Sequence, residues 1–182
     1  DPGLAEEEVL AITIKNHKTK KIIVWGIYDY NNSRDDVEYI HCVDESELLE
    51  QFVGFMVEVQ PDVITGWNTT FFDIPYLANR ITKLFGDKMR NNMSPWDMVT
   101  EEKVTTFGRE QTKYNIWGVA NMDYMDLYRK FTYKNQESYA LNYIASVELG
   151  VKKDDNPFET FREWYTKDYQ SFVDYNIKDV EL

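Results

Sequence analysis

The chain has 182 residues, 43% hydrophobic and 15% aromatic, with net charge −12 and a single cysteine, Cys42. Length and apolar content suit one folded domain with a substantial core and exclude a disordered segment. The acidity excludes a free-standing basic DNA-binding module but admits carboxylates that meet nucleic acid through divalent cations, and one cysteine excludes a disulfide or a cysteine zinc cluster.

Asp1-Pro2-Gly3 carries no initiator Met and no leader, so the chain reads as an excised piece. Val9–Ile14 and Lys21–Tyr28 are β-rich runs joined by a polar link, predicting an antiparallel pair. Val37–Cys42 alternates and forms a third candidate strand after the turn-rich Asn31-Asn32-Ser33. Asp44 followed by Glu47 resembles a capping box, opening a helix with Leu48, Leu49, Phe52, Val53, Met56 and Val59 on one face. Asp62–Trp67 is a short β-branched run that predicts a buried strand. Asn68, Thr69 and Thr70 break it. From Asp73 the apolar positions Ile74, Leu77, Ala78, Ile81, Leu84 and Phe85 follow helical spacing, with Gly86 as the stop. Strand, polar turn and helix bring a carboxylate to the sheet edge where open α/β folds bind ligands. The plainer reading of Asp73 is a helix cap.

Val104–Phe107 and Tyr114–Trp117 flank Gly108–Gln111, which predicts a β-hairpin with an exposed tip. The aromatic-rich Met122–Phe131 predicts a short buried strand, and Ser138 a cap for a helix bearing Leu141, Ile144, Ala145 and Val147 and closed by Gly150. Lys152–Pro157 reads as a polar loop. The last helix, about Lys167 to Leu182, gathers Tyr169, Phe172, Val173, Asn176, Ile177 and Val180 into an arc of about 140°. Tyr175 and Asp179 stack one turn apart at a margin of that arc, whereas Asp174, Lys178 and Glu181 lie opposite, toward solvent. Among these acids, geometry favours Asp179 as the working carboxylate. His17 and His41 lack metal-site spacing, and core or surface packing is the expected use of Trp25, Trp96 and Trp164.

Two patterns stand together: Asn68-Thr-Thr-Phe-Phe72-Asp73 at a strand end, and Tyr175-Asn-Ile-Lys-Asp179 on the C-terminal helix. The pair resembles the second and third exonuclease motifs of family B DNA polymerases. Ile64-Thr-Gly-Trp-Asn68, Phe72-Asp-Ile-Pro-Tyr76, Asp123-Tyr-Met-Asp-Leu-Tyr128 and Ser138-Tyr-Ala-Leu141 are similar to replicative polymerases of T-even-like tailed bacteriophages. The resemblance implies an α/β, ribonuclease-H-like mixed sheet flanked by helices with an inserted hairpin. It implies the 3′→5′ proofreading exonuclease of a replicative polymerase, releasing nucleoside monophosphates with two Mg²⁺ or Mn²⁺ ions. By analogy Asp73 and Asp179 bind metal, Tyr175 orients the nucleophile, and Asn68 and Phe72 flank the primer terminus. Arg109, in the hairpin that helps separate primer from template, is a DNA contact. Plainer readings make Tyr175 a half-buried seam tyrosine, Phe72 a core residue and the hairpin a structural loop.

The family's first motif, an Asp-x-Glu, has no counterpart ahead of Val9, where only Glu6, Glu7 and Glu8 stand. The expectation is a single exonuclease domain, 1–182, N-terminally truncated from a larger polymerase and weakly active or inactive alone. Implied partners are a single-stranded primer 3′ end, the remaining polymerase chain and, through that parent, a sliding clamp. The implied setting is the cytoplasm of an infected bacterium, with no membrane. A stand-alone exonuclease of the same superfamily and a non-catalytic binding or scaffolding domain remain alternatives.

Overall fold

The computed structural model describes residues 1–106, 108–151 and 157–182, with the side chains of Thr106 and Arg109 outside that description. Of the predicted polar loop, residues 152–156 lie outside the described residues. The chain divides into two compact units: a first of 1–8 with 49–136, and a second of 9–48 with 137–182.

In the second unit, β1 (Ala11–Lys15) pairs antiparallel with β2 (Ile22–Gly26), and β3 (Val37–His41) lies parallel to β2. The Asn16 carboxamide starts the first turn by accepting the N–H groups of Lys18 and Thr19 at 2.9 and 3.0 Å. α1 (Glu45–Val59) opens on an offset capping box. Asp44 accepts the Glu47 N–H at 2.9 Å, while the Glu47 carboxylate reaches back to Val43 N–H at 2.7 Å. Its apolar face buries Leu48 through Met56, but Val59 at the helix end is 47% exposed.

The first unit takes in residues 1–8 and α1 from Leu49 onward; in it β4 (Val63–Gly66) pairs in parallel with β7 (Ala120–Asp123), placing Gly66 opposite Asp123. β4 is not the buried strand the sequence predicts: its alternation turns Val63, 50% exposed, and Thr65 outward. α2 (Asp73–Phe85) keeps the predicted limits and buries Ile74, Pro75, Ala78, Arg80 and Ile81; Gly86 at φ +86° ends it. α3 (Asp87–Asn91) follows directly. β5 (Val99–Thr106) and β6 (Arg109–Ile116) pair antiparallel from Val99 with Ile116 to Thr106 with Arg109. The tip expected at Gly108–Gln111 is therefore shorter, because Glu110 and Gln111 already pair with Thr105 and Val104. Met122–Phe131 is corrected too. Its strand is Ala120–Asp123, largely exposed, and α4 (Tyr124–Phe131) follows because Asp123 caps a helix there.

One face of α2 holds the first residues of the chain. Tyr76 Oη donates to Glu7 O (2.6 Å), Asn79 Nδ2 to Pro2 O (2.9 Å), and Arg80 Nη1 to Ala5 O and Glu6 O (3.0 Å each). Arg80 is a buried cation, and these carbonyls offset part of its lost hydration.

The second unit resumes with α5 (Leu141–Leu149), α6 (Phe161–Lys167) and α7 (Tyr169–Glu181). Ser138 does not cap α5: its hydroxyl accepts from Ala140 N–H, and Ala140 is the N-cap. The predicted last helix, about Lys167 to Leu182, is α7; it starts two residues later because Asp168 ends α6, a helix not predicted from the sequence, and the Asp168 carboxylate caps α7 through Ser171 N–H at 3.0 Å. Tyr169, Val173 and Ile177 pack on Ile22, Val24 and Val37 as the unit's core. Gly26 is obligatory here, since a Cβ would collide with the hydroxyls of Tyr39 and Tyr169. Glu181 is not a solvated acid; it pairs with Arg34 at 2.6 Å, and exposed Asp174 accepts from Tyr30 Oη at 2.7 Å. No helix among the described residues is long and apolar enough to cross a membrane.

Candidate active site

The sequence-predicted residues fall in both units. Asn68, Phe72 and Asp73 lie in the first, on the turn from β4 into α2, and Tyr175 and Asp179 lie in the second, on α7. Arg109 begins β6, and its side chain is outside the described residues.

Asn68 takes a left-handed conformation, φ +66°, which Asn tolerates better than other residues bearing a Cβ. The turn then runs into the helix through Phe72 N–H to Asn68 O (3.0 Å) and Ile74 N–H to Thr69 O (3.1 Å). It is gripped from β7. The Asp123 carboxylate accepts Asn68 N–H on Oδ1 (3.0 Å) and Thr70 N–H on Oδ2 (2.9 Å). Asn121 accepts from Thr69 Oγ1 at 2.9 Å and donates to Thr70 Oγ1 at 3.3 Å. Gly66 permits this close folding, because a Cβ there would lie 2.6 Å from the Thr69 methyl. Sequence reasoning missed Asp123 as a site residue; its only early signal was its place in the Asp123–Tyr128 phrase.

Asp73 is the first residue of α2, after the N-cap Phe72, and no side chain caps that end. The plainer role of Asp73 as a cap therefore fails. The helix dipole favours its charge, but crowding by protein atoms prevails. Crowding of the carboxyl, with a smaller contribution from the Asp123 charge, pushes it up to about 6, although the residue as a whole is exposed and screening by solvent tempers that rise. Phe72 is not core: it is 52% exposed, its ring stacked on Tyr76 at 6.3 Å and 26°.

On α7, Tyr175 packs edge-on against buried Trp164 at 4.8 Å and against Phe161 at 6.4 Å. Trp164 is fixed by its indole N–H, which donates to Ser171 Oγ at 2.7 Å. Burial raises the Tyr175 hydroxyl above its ordinary range, so it remains a proton donor at neutral pH. Asp179 is half-buried one turn on. Trp25 is buried like Trp164, whereas Trp96 is 65% exposed.

A family model described as DNA polymerase family B, exonuclease domain, matches residues 2–144, a span that includes Asn68, Phe72 and Asp73 but ends before Tyr175 and Asp179. The chain is 36% identical over 148 residues to the DNA-directed DNA polymerase of Escherichia phage RB69, covering 80% of this chain and 16% of that one. It is 32% identical over 149 residues to the DNA-directed DNA polymerase of Enterobacteria phage T4, covering 81% and 16%. Similarity extends to the DNA polymerase delta catalytic subunit of Plasmodium falciparum, 32% over 145 residues, 75% of this chain and 13% of that one. The chain thus spans about a sixth of the length of the phage relatives.

Proposed function

Because the chain belongs to the exonuclease-domain family of family B DNA polymerases, we propose that it is the 3′→5′ proofreading portion of a replicative polymerase. Its substrate is a single-stranded primer 3′ end, hydrolysed to nucleoside monophosphates. The observation that carries this reading is the gripped Asn68–Thr70 turn, which sets a water-accessible carboxylate, Asp73, at a strand-to-helix edge of the kind α/β folds use for ligands.

Among the described residues no group of three or more His, Cys, Asp or Glu is arranged to hold a metal ion. The donors on offer, Asp73 and Asp179, are carboxylates, and their hard oxygens fit Mg²⁺ or Mn²⁺. Each is chemically suited to such an ion, and further oxygen ligands would be needed to complete a two-ion site. Two such ions, when bound, stabilise the attacking and leaving oxygens of an in-line displacement.

The chain's own residues do the rest. With its carboxyl near 6, Asp73 is mainly ionised at neutral pH and available as a ligand. Tyr175, protonated and held by Trp164, orients the nucleophile through its hydroxyl. Asn68 flanks the primer terminus, and the exposed Phe72 ring offers a face on which a base stacks. Arg109, where β6 leaves the turn, supplies a cation for phosphate, on a two-stranded ribbon that helps part primer from template. The rest of the polymerase chain, and a sliding clamp engaged through it, complete the partners. A ribonuclease-H-like arrangement of the sheet belongs to the same proposal.

The test is Mn²⁺-dependent degradation of 3′-labelled single-stranded DNA by this chain and by one extended about thirty residues upstream, enough for one strand and its connection. Activity in the longer form, lost in Asp73→Ala and Asp179→Ala, is the expected result. Inactivity of a folded longer form would refute the assignment.

A further inference from the structure

Buried Asp123 has no part in the chemistry above, yet it holds more backbone N–H groups than any role as a helix cap requires. Its Oδ1 caps α4 by accepting from Met125 N–H at 3.0 Å and Asp126 N–H at 3.5 Å. Ser, Thr or Asn would cap as well. The same carboxylate also takes the N–H groups of Asn68 and Thr70, one on each oxygen. Only a carboxylate accepts on both oxygens; an Asn in its place would turn an NH₂ toward one of those N–H donors. The identity of the residue is therefore dictated by the turn and not by the helix. The turn needs that hold, because Asn68 sits at φ +66° and both of its flanks must be fixed to keep it there. β7 supplies the grip rigidly, with Asn121 on the hydroxyls of Thr69 and Thr70 and with the Gly66–Asp123 pairing across the ladder.

We infer that Asp123 is a positioning residue: its carboxylate sets the path of the Asn68–Thr70 turn and through it the place of Asp73 at the head of α2. The inference rests on the proofreading reading for its catalytic consequence, but not for the hold itself.

Asp123→Ser separates the two roles, since a serine hydroxyl still caps α4 but does not span both turn amides. In the 182-residue protein, amide hydrogen exchange followed by NMR should show Asn68 and Thr70 exchanging at least about tenfold faster in Asp123→Ser, with Met125 and Asp126 still protected. In the upstream-extended protein, kcat on 3′-labelled single-stranded DNA should fall about 10- to 100-fold with KM unchanged, as expected for a displaced reacting group. Asp123→Asn, which keeps one acceptor oxygen, should fall between and carries the same comparison if the serine variant does not fold. Unchanged exchange at Asn68 and Thr70, or an unchanged kcat, overturns the inference. An inactive wild type with accelerated exchange in Asp123→Ser overturns the exonuclease reading and the catalytic consequence, leaving Asp123 as holder of the turn.

Discussion

Asp73→Asn should make the protein more stable at neutral pH while removing the proposed metal ligand. The folded carboxyl stands near 6 against an ordinary 3.8, so the folded state binds its proton more tightly than the unfolded chain. Stability from this group is complete below about 3.8, declines as pH rises, and is lost above about 6. The shift sets a ceiling of about 3 kcal/mol at about 1.4 kcal/mol per unit. Asp73 is an exposed residue, and screening by solvent reduces the expected gain to about 1 kcal/mol. In a chain of 182 residues that raises Tm by roughly 2–4 °C. The assay is thermal unfolding of both proteins in chelator at pH 7.5 and pH 4.0. The variant should melt higher at pH 7.5, with the gap nearly closed at pH 4.0. Adding Mn²⁺ at pH 7.5 should raise the wild type and not the variant, since a cation bound to the folded carboxylate stabilises it by mass action. A gap of equal size at both pH values, or a variant less stable at pH 7.5, would refute the reasoning.

Gly66→Ala should destabilise by about 1–3 kcal/mol, because its Cβ would meet the Thr69 methyl at 2.6 Å, and adding Thr69→Ser should recover most of it while keeping the hydroxyl for Asn121; urea unfolding of the two variants checks this. Phe72→Ala, at an exposed ring, should leave Tm within about 1 °C but weaken single-stranded DNA binding by roughly 5- to 100-fold, the worth of one stacked base; fluorescence anisotropy reads the change. Ile177→Ala, in the core of the second unit, should cost about 2–5 kcal/mol, measured by urea unfolding.

The limits of α2 were legible because apolar residues at helical spacing and a terminal glycine are both local signals, and the β1–β2 pairing followed from two β-rich runs with a short link between them. What the sequence concealed depends on contacts between distant residues. Asp123 acts on amides more than fifty positions away, and nothing near it in the chain announces that. Aromatic content suggested a short buried strand within Met122–Phe131, but the strand ends at Asp123, which caps α4 over the rest. Phe72 looked like core because it is hydrophobic; whether such a side chain is covered depends on its neighbours, and here Tyr76 stacks on it while 52% of it stays exposed. Asp73 and the Tyr175–Asp179 pair were proposed from spacing and resemblance, and the structure adds the crowding that raises the Asp73 carboxyl and the indole that packs on Tyr175.

The grip of α2 on residues 1–8 has a consequence for how this segment varies. Tyr76, Asn79 and Arg80 donate to the main-chain carbonyls of Pro2, Ala5, Glu6 and Glu7, groups that every amino acid carries. Side-chain replacements at exposed Glu6 and Glu7 thus leave these four acceptors in place, whereas inserting or deleting one residue misaligns the carbonyls with their donors. The segment is read by its length and path, not its letters, so relatives should tolerate drift there yet keep the spacing to the strand that follows.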